Sequence, residues 1–96
     1  MIIQSRSKKM KIKEGYMLRE IAGNFVVVPV GIASKEFNGV ITLNSTGAFL
    51  WKELMNGLSI TDLIDRLVAT YEVEKEVAAK DVNNFVSILK GANLVE

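Results

Sequence analysis

Ile41-Thr42-Leu43-Asn44-Ser45-Thr46-Gly47-Ala48-Phe49-Leu50-Trp51 is the stretch that decides how this chain folds. Ile41 and Leu43 alternate with Val40 and Thr42, which predicts a strand over residues 39–43 with Ile41 and Leu43 on one face. Asn44 follows as a natural N-cap, because its side-chain oxygen accepts from free N–H groups of a first helical turn. The apolar period then changes. Leu50, Trp51, Leu54 and Met55 recur at helical spacing on one face, up to a stop at Gly57. A β half therefore ends and an α half begins at Asn44. Trp51 reads as a core residue, and Thr46 and Gly47 read as cap and close-packing residues.

Upstream, residues 16–22 form a plausible first strand and residues 25–30 a second, rich in β-branched side chains. Gly23-Asn24 between them suits a two-residue hairpin turn. Pro29 has no N–H to donate to a ladder and belongs at a strand end or edge. Residues 31–38 read as a loop. Downstream, Ser59-Ile60-Thr61-Asp62 resembles a capping box with Asp in place of Glu. It opens a second helix whose stripe is Ile60, Leu63, Ile64, Leu67, Val68 and Tyr71. A third helix is predicted over residues 74–90, acidic in its first turn, with Lys90 in its last and Gly91 ending it. The order β-β-β-α-α-α predicts an α+β domain. A three-stranded antiparallel sheet buries one face against three helices and has two edges; if the third strand lies at one, its outer backbone groups need a partner, a cover or water.

Composition narrows the chemistry. Ninety-six residues make one small domain, and the chain has neither Cys nor His. Disulfides, thiolate nucleophiles and Cys-ligated metals are impossible, and the commonest general base and metal ligand is missing. No run is long and apolar enough to span a bilayer, and the N-terminus does not read as a secretory signal. These features predict a soluble cytoplasmic protein with no cofactor. The net charge of +1 hides an asymmetry: residues 1–13 carry Arg6, Lys8, Lys9, Lys11 and Lys13 and no acid, while the rest has seven basic and eleven acidic residues. Residues 1–13 are therefore expected to be a flexible basic tail on a domain spanning 14–96.

Leu43-Asn44-x-Thr46-Gly47-x-x-Leu50-Trp51-x-x-Leu54, then Tyr71-x-Val73 and Asp81-Val82-x-x-Phe85, resembles the PqqD family. So does Leu18-Arg19-Glu20-Ile21-Ala22-Gly23 before Val27-Val28-Pro29. The resemblance covers residues 14–96 and implies a winged-helix-like fold of three strands and three helices. It further implies a peptide chaperone, the stand-alone recognition element for ribosomally made, modified peptides. Such an element binds the leader segment of a precursor peptide as an added strand and presents it to a modifying enzyme, often a radical S-adenosylmethionine protein. On this chain the implied site is the edge Val40, Ile41, Thr42 and Leu43, faced by Val82, Phe85, Val86 and Leu89. The last four also make an ordinary core stripe, and their spacing does not separate the two roles. Strand addition draws affinity from main-chain hydrogen bonds and specificity from side-chain pockets.

Three other readings compete. A DNA-reading winged helix needs basic side chains on its recognition helix, yet residues 74–90 balance Lys75, Lys80 and Lys90 against Glu74, Glu76 and Asp81, with no Arg. No specific nucleic acid is expected, and any phosphate contact by the basic tail would be lost with salt. An enzyme is not expected either, since Asp62, Asp65, Glu72, Glu74 and Glu76 occupy capping and surface positions with no His or Cys near them. A docking adaptor that binds a larger enzyme without taking peptide stays open. An uncovered edge strand also admits a homodimer.

Overall fold

The computed structural model describes residues 9–31 and 41–95. Strands β1 (Tyr16–Ile21), β2 (Asn24–Pro29) and β3 (Ile41–Leu43) form one antiparallel sheet in the order β1-β2-β3. Helices α1 (Ser45–Leu54), α2 (Ile60–Tyr71) and α3 (Lys75–Gly91) follow. This is the expected α+β architecture. The first two positions of the expected third strand, Gly39 and Val40, and the loop after Gly31 lie outside the described residues. Among the described residues no helix is long and apolar enough to cross a membrane.

The hairpin turns at Ala22-Gly23, one residue earlier than expected, with φ of 52° and 82°. Positive φ at both central positions is the turn whose twist matches the flanking strands. The resulting register sets Leu18 opposite Val27 and moves Glu20 toward the tip, opposite Phe25. A turn at Gly23-Asn24 would instead set Glu20 opposite Val27, which is fully buried. The inner face of the sheet carries Tyr16, Leu18, Phe25, Val27, Ile41 and Leu43, and all six pack into the core with the helices.

The helix boundaries have local causes. Asn44 Oδ1 accepts the Gly47 N–H at 2.7 Å and opens α1. Met55, expected on the apolar stripe, caps the end of α1 and is exposed. The Ser59–Asp62 capping box is complete: the Asp62 N–H donates to Ser59 Oγ at 3.1 Å and the Ser59 N–H to Asp62 Oδ2 at 3.3 Å. Tyr71, also expected on a buried stripe, is exposed and meets Phe49 edge to face at 5.4 Å. Helix α3 runs through Gly91. Its stop is Asn93, with φ of 61°, so that the Asn93 N–H reaches the Lys90 carbonyl and the Leu94 N–H reaches that of Leu89. This Schellman closure points the fully buried Leu94 into the core.

The expected flexible tail needs correcting over its last residues. Met10 and Ile12 are only 8% and 4% exposed and belong to the core. The Met10 and Leu58 backbones exchange hydrogen bonds at 2.8 and 3.1 Å. Ile12 bridges Val95, and the Lys13 N–H donates to the Leu94 carbonyl at 2.9 Å. The strap ties the α1–α2 connection to the segment after α3. A domain of this size has little apolar surface to spare, so two more buried side chains count. Residues 1–8 lie outside the described residues.

Two expected outcomes follow from this packing. Met10→Ala or Ile12→Ala lowers unfolding free energy by about 2–4 kcal/mol in urea titration, whereas Lys11→Ala, at the exposed position between them, changes it by less than about 0.5 kcal/mol; equal stability of both kinds of variant would show that the strap is not core. Ala22→Asn raises stability by about 1 kcal/mol, because Asn adopts positive φ at lower cost than Ala; no gain would contradict this turn geometry.

Candidate functional site

The hairpin determines which backbone groups β3 leaves free. The two-residue turn closes on the Ile21–Asn24 pair, so even positions of β2 exchange hydrogen bonds with β1 and odd positions with β3. The Val30 N–H, donating to the Gly15 carbonyl at 2.8 Å, continues the even series. Phe25 and Val27 therefore bond Leu43 and Ile41, their partners in register. Thr42, between them, turns its N–H and C=O outward from the sheet. No strand lies beyond β3 among the described residues.

That open edge borders a pocket of about 140 Å³. Thr42, Leu43 and Asn44 line one side, and Thr46, Gly47 and Leu50 of α1 bring in the helix start. Asp81, Asn84, Phe85 and Ile88 of α3 form the facing wall. Gly47 makes this closeness possible: a Cβ there would sit 3.2 Å from Asn44 Oδ1 and 3.3 Å from Leu43 Cβ. The site is mixed in character, with an apolar floor of Leu43, Leu50 and Phe85 under polar groups from Thr42, Asn44, Thr46 and Asn84.

The expected site residues divide. Thr42, Leu43 and Phe85 line the pocket. Ile41 is half-buried in the same strand with its side chain in the core, and Val40 lies outside the described residues. Val82, Val86 and Leu89 do not reach the pocket, because they are buried in the core. The reason is helical rotation. Ala78, Val82, Phe85, Val86 and Leu89 form the core stripe of α3, and the row rotated toward β3 is Asp81, Asn84 and Ile88. Phe85 sits where the two meet. Val77 extends the outer row by one more turn, and Val77 and Ile88 are 47% and 42% exposed.

Asp81, Asn84, Ile88 and the α1 start were not expected at the site. A usable signal was present: Val77 and Ile88 are apolar residues that fall off the core stripe of α3 and share a row with Asp81 and Asn84. Asp81 is the single charged residue lining the pocket among the described residues, and its carboxylate makes no hydrogen bond or ion pair with them. Among those residues no three His, Cys, Asp or Glu side chains gather as metal ligands. The arrangement is that of a binding groove, with a backbone edge on one side and a partly apolar helix row on the other.

Comparison with known proteins gives three results. No curated protein matches the chain. Among solved structures, a lasso peptide synthetase B1 complexed with the leader peptide is 22% identical, with a TM-score of 0.70 over 91% of this chain and 96% of that one. TbiB1 in complex with the TbiA(beta) leader peptide is 21% identical, with a TM-score of 0.68 over 90% and 94%. Both share the fold. The model of the family described as coenzyme PQQ synthesis protein D (PqqD) matches residues 15–95, nearly the whole described domain, and the chain belongs to the PqqD family.

Proposed function

We propose that this chain binds the leader segment of a ribosomally made precursor peptide and presents it to a separate modifying enzyme, a radical S-adenosylmethionine protein being the first partner to test. It acts as a binding module and not as a catalyst. The observation that carries the reading is the outward-facing Thr42 backbone beside a groove walled by α3. A peptide laid there pairs with Thr42 on one side and rests its side chains on Phe85 and Ile88 on the other. Family membership and two solved structures of the same fold, each in complex with a leader peptide, support leader binding as the function. The α3 wall offers Asp81 and no cation to the groove, which suits a peptide and opposes a nucleic-acid phosphate.

Ordering a flexible peptide costs backbone and side-chain entropy, so a dissociation constant on the order of nanomolar to micromolar is expected. The test is a ¹⁵N-HSQC titration with the leader of a small precursor encoded beside the gene. Saturable shifts at residues 41–47 and at Asp81, Asn84, Phe85 and Ile88 are expected. Shifts confined to other faces of the domain would refute the groove.

Thr42→Pro supplies a second check. It removes an outward N–H without touching the β2 ladder, so the fold persists while leader affinity falls about tenfold or more. Ile88→Glu, at an exposed position, has the same signature of lost binding with stability retained to within about 0.5 kcal/mol. Wild-type affinity in both folded variants would remove β3 and α3 from the binding site.

A further inference from the structure

Resting on the peptide-binding reading, we infer that the peptide this groove selects carries a Lys or Arg seated at Asp81, with a bulky apolar residue two positions away against Phe85 and Ile88. Asp81 is exposed, lines the groove and has no partner among the described residues. Every other described residue lining the groove is neutral. A cation is thus the one charged side chain that gains a partner on entry, and an acidic residue in the same place meets a like charge. Asn84, one turn along the same row, adds an amide oxygen that accepts from a guanidinium or ammonium.

The spacing follows from the two geometries. Asp81 and Phe85 are four residues apart on α3, a rise of about 6 Å. Alternate side chains on one face of a strand repeat at about 6.8 Å. A strand lying along the groove with one side chain at Asp81 therefore places the next residue on that face at Phe85. There the exposed Ile88 offers apolar surface beside Phe85, which lines the groove while staying buried. Selectivity then has two parts, an apolar contact for affinity and a charge contact for register.

A displayed library of random twelve-residue peptides, panned against the full chain at low salt, tests this directly. Enrichment of Lys or Arg two positions from a bulky apolar residue is expected among binders that Thr42→Pro abolishes. In synthetic copies of those peptides, replacing the cation by Gln weakens binding about threefold, in the range of a partly exposed ion pair. The same replacement costs nothing against Asp81→Asn, and the difference shrinks at high salt. Binders that need Thr42 but show no cationic preference, or a preference that survives Asp81→Asn, would overturn this inference and leave the peptide-binding proposal standing. A library yielding no binder that depends on Thr42 would overturn both.

Discussion

The hydrogen bond from the Gly47 amide to Asn44 Oδ1, made across a position that has no Cβ, is the constraint on which the rest of the domain depends. It starts α1 two residues beyond the end of β3, with no connecting loop in which the two elements are free to shift. Leu43 is thereby held in the core while Thr42 stays on the open edge. The same closeness gives the pocket one wall made of a strand end and a helix start. A side chain at position 47 would press on Asn44 and Leu43 together, and both are fixed, one by its capping bond and the other by burial. Sheet, helix layer and groove are therefore set by one capped junction.

A second constraint is that α3 does two jobs with two rows. Ala78, Val82, Phe85, Val86 and Leu89 anchor it in the core, and Leu94 and the strap through Met10 and Ile12 add to the same packing. The neighbouring row, Val77, Asp81, Asn84 and Ile88, stays exposed. Since Phe85 is the one residue of α3 that belongs to both core and groove, residues of the outer row can vary without opening a cavity. Under the proposed function, such a module can change its peptide preference at nearly constant stability, which a groove cut into the core stripe would not permit.

The sequence made the element order, the Asn44 cap and the Ser59–Asp62 box legible, because each rests on local chemistry or on apolar period. Errors arose where tertiary packing chose between local options. Lys9-Met10-Lys11-Ile12-Lys13 reads as a charged tail by composition, yet its strict alternation is that of a half-buried extended segment, and the buried face is the two apolar residues. Gly91 is the more usual helix stop, but burial of Leu94 needed the left-handed residue at Asn93. At the site, the family resemblance points to the apolar stripe of α3 as the row that faces the groove. Hydrophobicity marks what is buried most, so it pointed to the core row, and the groove row was hidden by its polar half.

Backbone pairing alone is too weak to explain selective binding at this edge. Within Ile41–Leu43 only Thr42 turns its groups outward, so a strand added there gains two main-chain hydrogen bonds within the described segment. Two such bonds contribute about 1–3 kcal/mol net. Association costs at least about 4 kcal/mol in lost translational and rotational freedom. The α3 wall must make up the difference, through apolar burial on Phe85 and Ile88 and through Asp81. The same arithmetic applies to a second copy of the chain paired about Thr42. On its C-terminal side that copy's β3 passes directly into α1 at Asn44 and adds no further strand residue. An occupant of a short edge beside a helix wall thus needs side chains that fit the wall as well as a backbone that pairs.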